Sequence, residues 1–182
     1  RVIADRFRLV SKLGAGGMGE VYEAIQEPIG RTVALKILSE ELAENPGQVE
    51  RFKREAQAAS QLTHPNTIVV HDFGQDEDGT LFIAMEFLEG ESLDRRLRNL
   101  GDLTPEWVVK ILSQVCDSLQ EAHASGMVHR DLKPENIFLA RRPNDHELVK
   151  VLDFGIAKVT HSPSGDTMDR LTQQGTICGT PH

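Results

Sequence analysis

The stretch MVHRDLKPENIF, residues 127–138, sets charged and polar side chains between two short apolar runs. Five of them lie close together: His129, Arg130, Asp131, Lys133 and Asn136. The apolar flanks predict that this loop is anchored at both ends in a core. Charged groups held at fixed positions are typical of a functional site. The rest of the sequence decides which kind of site this is.

The composition is that of an ordinary globular protein and disfavours several classes. The 182 residues are 39% apolar and 26% charged, and the net charge of −8 offers no basic field for nucleic acid. Cys116 and Cys178 are far apart, which favours a reducing compartment over a zinc site or a disulfide framework. No run of about 18 apolar residues occurs, so we expect no membrane contact by this segment. The chain starts at Arg1 and stops after GTPH, which indicates a piece of a longer protein.

Hydrophobic periodicity predicts a strand-rich first part and a helical second part. Period-two alternation predicts five strands before residue 88, in the ranges 7–13, 20–25, 32–38, 68–73 and 81–87. One helix over 48–61 interrupts them. A second helix over 105–125 has apolar positions spread over roughly 200°, so it needs cover on more than one side. Two short strands, 136–140 and 148–152, follow it.

A glycine-rich segment, Gly14, Gly16 and Gly19, has the G-x-G-x-x-G pattern. Alone it fits a tight hairpin, a dinucleotide-binding turn or a loop that covers phosphates. The dinucleotide form needs a helix after the glycines, whereas here a strand follows. The absence of a G-K-[ST] ending also disfavours a Walker-type loop.

Two charged residues lie at positions where the pattern predicts burial. Lys36 shares a strand face with Ala34 and Leu38, so it is either an edge residue or a buried cation that needs a partner. Glu55 lies inside the apolar arc of helix 48–61, where an unpaired carboxylate would be costly. The two residues are therefore candidates for an ion pair.

Taken together, these motifs resemble the protein kinase family, and most of all the eukaryotic-like serine/threonine kinases of bacteria. The segments that carry the resemblance are GAGGMGEVY, VALKIL, HPN at 64–66, HRDLKPEN and DFGIAK. The implied fold is α+β and two-lobed. A small antiparallel β lobe with one helix would span 1–87. The hinge and the first part of a mainly helical large lobe would span 88–182, incomplete because the chain ends in the activation segment before an Ala-Pro-Glu element.

The resemblance implies a role for each polar residue of the 127–138 stretch. Asp131 would accept the proton of the substrate hydroxyl, and Lys133 would approach the transferred phosphate. Asn136 and Asp153 would hold Mg²⁺ ions that bridge the phosphates of ATP, with Mn²⁺ as a substitute. The chemistry requires such a cluster, because phosphoryl transfer depends on positioning and charge neutralisation.

The same resemblance places ATP against the first lobe. Lys36 would bind the α and β phosphates and pair with Glu55, under the glycine loop. The residues expected at the nucleotide, besides Lys36, are Leu13, Gly14, Gly16, Gly19, Val21, Ala34, Met85, Glu86, Leu88 and Phe138. Val21, Ala34 and Phe138 would look the same as plain core residues, so that reading stays open.

The residues after Asp153 resemble an activation segment. Arg130 would pair with a phosphate on this segment, and Thr172 and Thr176 are the predicted acceptors. Thr180 is not one of the predicted phosphate acceptors, and its hydroxyl would instead form hydrogen bonds with Asp131 and Lys133. A mobile loop without regulation is the alternative, and a redox role for Cys178 is disfavoured because nothing nearby clearly lowers its pKa.

The sequence therefore predicts an ATP- and Mg²⁺-dependent kinase that phosphorylates Ser and Thr of proteins in a signalling pathway. We expect a cytoplasmic location, possible self-association for autophosphorylation and no nucleic acid partner, and we leave open a membrane anchor outside this segment. The alternatives are a truncated nucleotide-binding or scaffolding module and, less favoured, a dinucleotide-dependent oxidoreductase. We expect the isolated 182-residue chain to be poorly soluble or marginally stable.

Overall fold

The structure is a computed structural model, and it describes residues 1–16, 19–101, 103–142 and 147–154. Its first part is a six-stranded antiparallel sheet in the order β1-β2-β3-β4-β6-β5. The strands are β1 (Val2–Ile3), β2 (Phe7–Gly16), β3 (Gly19–Gln26), β4 (Arg31–Leu38), β5 (Val70–Gln75) and β6 (Leu81–Glu86). Five of these strands, β2 to β6, lie where the alternation of apolar and polar residues predicted strands.

One long helix packs on this sheet. A short helix α1 (Glu40–Ala43) precedes helix α2 (Pro46–Ala59). Helix α2 begins where Asn45 caps it, its side chain accepting from the N–H groups of Gly47 and Gln48. Its buried residues are Val49, Phe52, Ala56 and Ala59, which form one core with β5 and β6. The predicted 48–61 helix is thus present, shifted by two residues toward the N-terminus because the cap lies before Pro46.

The second part combines helices with a small sheet. Strand β7 (Gly90–Ser92), helix α3 (Leu93–Leu100), helix α4 (Pro105–Ala124), a 3₁₀ turn (Pro134–Asn136), strand β8 (Ile137–Arg141) and strand β9 (Glu147–Val151) follow in chain order. The three strands pair antiparallel in the order β7-β8-β9. Both strands predicted after the long helix are present.

Helix α4 lies close to its predicted bounds. The side chain of Thr104 accepts from the N–H of Trp107 at its start, and Gly126 follows its end with a φ of +74°. Its buried residues are Ile111, Val115, Ser118 and Ala122. No helix in the described part of the chain is long and apolar enough to cross a membrane.

The segment between α2 and β5 joins the two parts. Backbone bonds link it to β9, from the N–H of Ile68 to the carbonyl of Val151 and from the N–H of Val151 to the carbonyl of Asn66. The hydroxyls of Thr67 and Ser118 on α4 lie 2.7 Å apart and both residues are buried. The buried hydroxyl of Thr67 therefore has a hydrogen-bond partner.

Candidate active site

His129 anchors the polar loop to the end of β9. Its Nε2–H donates to the carbonyl of Leu152 over 2.7 Å, and its Nδ1 accepts from the N–H of Asp131 over 3.3 Å. The ring also packs on Phe154, with ring centroids 4.8 Å apart. Burial lowers the pKa of His129 below its ordinary value of 6.5, although the hydrogen bond to Leu152 acts in the opposite direction. These contacts all fit a neutral imidazole.

Asp131, Lys133 and Asn136 form a connected group. Asp131 Oδ2 accepts from the amide nitrogen of Asn136 and from Lys133 Nζ, each over 3.1 Å. The Asn136 amide also donates to the backbone carbonyl of Asp131 over 2.8 Å, which fixes the loop. Arg130, directly before Asp131, is exposed and has a φ of +63°. The structure thus brings together the three side chains that the sequence grouped, with one carboxylate at the centre.

Lys36 pairs with a residue from the second part of the molecule. It is buried, and its Nζ lies 2.9 Å from both carboxylate oxygens of Asp153. The choice left open by the sequence is settled: Lys36 is a buried cation with a partner. Because Asp153 follows β9 and Lys36 lies on β4, this ion pair joins the two parts of the molecule.

The expected pair of Lys36 with Glu55 is not formed, and this prediction was wrong for the structure. Glu55 Oε1 accepts from the Nε of Arg51, one turn earlier on α2, over 3.0 Å. Its Oε2 is buried without a hydrogen bond to any described residue. The physical reason is competition: Asp153 engages Lys36 with both oxygens, while Arg51 is the cation that neutralises Glu55.

Strands β3, β4 and β6 bring four of the residues expected at the nucleotide to one face of the sheet. The β3–β4 register sets Val21 opposite Lys36, and the β4–β6 register sets Ala34 opposite Met85, so these four residues share a face. Gly19 is required here because an added Cβ would lie 2.0 Å from the carbonyl oxygen of Ile37. Of the other expected nucleotide residues on β2, Gly14 pairs with Val21, Gly16 pairs with Gly19, and Leu13 is half exposed.

Glu86 does more in the structure than the sequence suggested. Besides its backbone position before Leu88, its Oε1 accepts from the N–H of Val69 over 2.9 Å and from Lys150 Nζ over 2.5 Å. Lys150 is buried and also donates to the carbonyl of Thr67 over 3.0 Å. Sequence reasoning missed this buried pair. The signal was present, since Lys150 in the apolar strand LVKVL is the same pattern that identified Lys36.

The site carries oxygen donors that suit a divalent metal ion. Asn136 supplies an amide oxygen and Asp153 a carboxylate, and the N–H of Leu152 binds the carbonyl of Asn136 over 2.9 Å, which holds the two segments together. Mg²⁺ commonly takes one or two such protein ligands and completes its shell with water and phosphate. Among the described residues, no group of three or more His, Cys, Asp or Glu side chains is placed to hold a metal ion. Asn136 and Asp153 would therefore hold such an ion together with water and phosphate oxygens.

The predicted activation segment extends beyond the described residues. Thr172, Thr176, Thr180, Cys178 and Gly155 of the DFG motif lie outside the described residues. Phe138, predicted beside the adenine, lies on β8 and is partly buried.

Comparison with known sequences identifies the family. The model of the protein kinase domain matches residues 7–182, so the chain belongs to that family. The serine/threonine-protein kinase pkn3 of Myxococcus xanthus is 49% identical over 181 residues, which is 100% of this chain and 33% of pkn3. The serine/threonine-protein kinase PknH of Mycobacterium bovis is 42% identical over 96% of this chain and 27% of PknH. The chain therefore spans about a third or less of these relatives.

Solved structures agree with the sequence comparison. The kinase domain of PknI from Mycobacterium tuberculosis superposes with a TM-score of 0.76 at 33% identity, covering 86% of this chain and 62% of that domain. The predicted α+β kinase-like fold and the resemblance to bacterial eukaryotic-like serine/threonine kinases are confirmed. ATP and a divalent metal ion are the general cofactors that this family implies.

Proposed function

We propose that this chain is the catalytic part of a serine/threonine kinase that transfers the γ-phosphate of ATP to protein hydroxyls. The observation that supports this best is the Asp131 carboxylate, held by Lys133 and Asn136 over 3.1 Å each. A carboxylate oriented in this way can accept a hydroxyl proton while the neighbouring ammonium faces the transferred phosphate. The relatives named as serine/threonine kinases support the same acceptor class.

The chain's own groups have separable roles in this proposal. Asp131 orients the substrate hydroxyl and takes its proton, and Lys133 stabilises charge on the transferred group. Lys36 holds the nucleotide phosphates, and Asn136 and Asp153 hold Mg²⁺, or Mn²⁺ in its place. When bound, the metal ion neutralises charge on the phosphates. His129 and Lys150 act through the loops that they fix and are positioning residues.

The regulatory and cellular parts of the proposal rest on the sequence. Phosphorylation of Thr172 and Thr176 would create anions for the exposed Arg130, while Thr180 would contact Asp131 and Lys133. Protein substrates, self-association for autophosphorylation and a cytoplasmic location, where ATP is abundant, complete the proposal.

Transfer of label from γ-labelled ATP to protein tests the proposal directly. The full-length protein is incubated with Mg²⁺, next to Asp131→Ala and a matched control, Asp117→Ala, which removes an exposed aspartate of α4. We expect label on Ser or Thr from wild type and control, and a loss of about a hundredfold or more in Asp131→Ala. Equal labelling by Asp131→Ala would contradict the role of that carboxylate. ATP binding without any label would instead favour a nucleotide-binding or scaffolding module.

A further inference from the structure

A cavity lies outside the candidate active site. It has a volume of about 420 Å³ and is bordered by β7, α3, α4, β8 and β9. Six charged side chains line it: Arg95, Arg96, Lys110, Arg141, Glu91 and Glu147. Four cations face two carboxylates, although the chain as a whole carries a net charge of −8. A local excess of positive charge in an acidic protein indicates an anion-binding function.

The cavity lies on the opposite side of β8 from Phe138, the residue expected beside the adenine. Side chains alternate along a strand, so Leu139 and Arg141, which line the cavity, point away from the side on which Phe138 lies. A ligand in this cavity would therefore not displace a nucleotide. Gly90 keeps β7 close to β8 at this place, because an added Cβ would lie 2.1 Å from the carbonyl oxygen of Leu139.

Arg96 occupies both carboxylates of the cavity. Its Nε lies 2.5 Å from Glu91 and its Nη2 lies 2.7 Å from Glu147, so one side chain joins β7 to β9. The guanidinium also lies over the ring of Trp107, 5.7 Å from its centroid. Hydrogen bonding to Glu91, followed by Glu147, raises the pKa of Arg96. Arg96 is thus a fixed part of the cavity wall, and it neutralises charge on the two carboxylates of the cavity.

The remaining three cations are exposed and weakly engaged. Arg95 Nε lies 3.9 Å from Glu91, at the limit of an ion pair, and its side chain is 72% exposed. Lys110 and Arg141 are exposed and form no ion pair with another described residue. They come from three elements, α3, α4 and β8, and converge on one cavity. Their surplus charge is available to a ligand.

We propose that this cavity binds a phosphorylated serine or threonine side chain of a protein segment. A phosphate carries nearly two negative charges and three acceptor oxygens, which suits the convergence of Arg95, Lys110 and Arg141 on one cavity. A cavity of about 420 Å³ has room for one such side chain with part of its backbone. The inference rests on the proposed function for its ligand class, because a serine/threonine kinase generates phosphorylated segments. The site would retain a product or a phosphorylated partner near the enzyme.

Peptide binding measured by fluorescence polarisation tests the site without any catalysis. The full-length protein is titrated against a labelled phosphothreonine peptide and its Thr and Glu versions, with no ATP present. The test variant is Lys110→Ala/Arg141→Ala. The matched control is Arg8→Ala/Arg54→Ala, which removes two exposed cations of β2 and α2. The Asp131→Ala protein is included because it separates this site from phosphate transfer.

We expect the phosphopeptide to bind wild type, the control and Asp131→Ala alike, and to bind about tenfold or more weakly to Lys110→Ala/Arg141→Ala. Added salt should weaken binding, as for any exposed charge contact. Thermal stabilisation by ATP should be equal in all variants, which shows that they are folded. Unchanged affinity in the test variant would overturn the proposal, and so would equal binding of the Thr or Glu peptide. Failure of phosphate transfer with intact peptide binding would refute the proposed function alone.

Discussion

At the scale of single residues, His129 shows how burial fixes a protonation state. The ring donates at Nε2 to Leu152 and accepts at Nδ1 from Asp131, so a second ring proton would disrupt one of the two contacts. Burial lowers its pKa, whereas the hydrogen bond to Leu152 and the nearby carboxylates act to raise it. The protonation state of one buried imidazole is therefore coupled to the position of Asp131.

This coupling predicts a pH-dependent stability. The pKa of His129 is lower in the folded state than its ordinary value of 6.5. Below that value the unfolded chain therefore binds a proton that the folded chain does not bind. The free energy of unfolding should fall as pH drops below about 6.5, by at most about 1.4 kcal/mol per pH unit. His129→Gln should reduce this slope, measured by urea unfolding between about pH 7 and pH 5.5.

The control is His123→Gln, an exposed histidine at the end of α4. It should leave the slope as in wild type. Some slope should remain in His129→Gln, because burial also lowers the pKa of His71. A slope that His123→Gln and His129→Gln change equally would show that His129 is not its source.

Single residues also show what sequence can and cannot predict. The alternation in VALKIL left two readings for Lys36, an edge residue or a buried cation, and the structure shows the buried cation. Its partner was predicted wrongly, because Glu55 and Asp153 are both plausible carboxylates and only the fold decides which one is nearer. The cluster of Asp131, Lys133 and Asn136 was easier, since its members are neighbours in the chain and share one loop.

At the scale of elements, the segment between α2 and β5 fixes the two parts of the molecule against each other. The N–H groups of Thr63 and His64 donate to the carboxylate of Glu121 on α4 over 3.2 Å or less. Asn66 donates to the carbonyl of Val149 over 2.7 Å. Thr67 adds a buried hydroxyl pair with Ser118. This docking explains why β5 begins at Val70, later than the alternation predicted, because the preceding residues pair with β9.

The hydroxyl pair predicts a non-additive effect of mutation. Thr67→Val leaves the Ser118 hydroxyl buried without its partner, which should cost about 1–3 kcal/mol of unfolding free energy. Thr67→Val/Ser118→Ala removes both polar groups, so it should cost less than the sum of the single changes. Urea unfolding of the two single variants and the double variant measures the difference.

Thr32→Val makes the same chemical change on β4, where the hydroxyl makes no hydrogen bond to another described residue. It should have little effect. Strictly additive losses at Thr67 and Ser118 would mean that the two hydroxyls do not stabilise each other.

The bounds of helices α2 and α4, in contrast, were predictable within two residues, since Asn45 and Thr104 are caps that act locally. The short helices α1 and α3 were not predicted from the sequence.

At the scale of the whole molecule, helix α4 buries only part of its apolar surface. The sequence predicted apolar positions over a wide arc, and in the described structure Val109 is 66% exposed and Leu112 is 51% exposed. The chain also covers only 62% of the matched PknI kinase domain. Local periodicity could predict that this helix needs cover on more than one side. It could not predict which side of the helix the other described residues cover.

The exposed face of α4 predicts self-association of the isolated 182-residue chain. Two large apolar side chains one turn apart on a helix form a patch that a second copy can cover. Val109→Lys/Leu112→Lys should raise the monomer fraction severalfold in sedimentation velocity, because burying two ammonium groups in an apolar contact is costly. Gln57→Lys/Gln61→Lys adds the same charge at exposed polar positions at the end of α2, on another element, and should leave the monomer fraction much closer to that of the unchanged chain. A monomeric unchanged chain would contradict the prediction. An equal response to both pairs would show that net charge, and not this face, governs association.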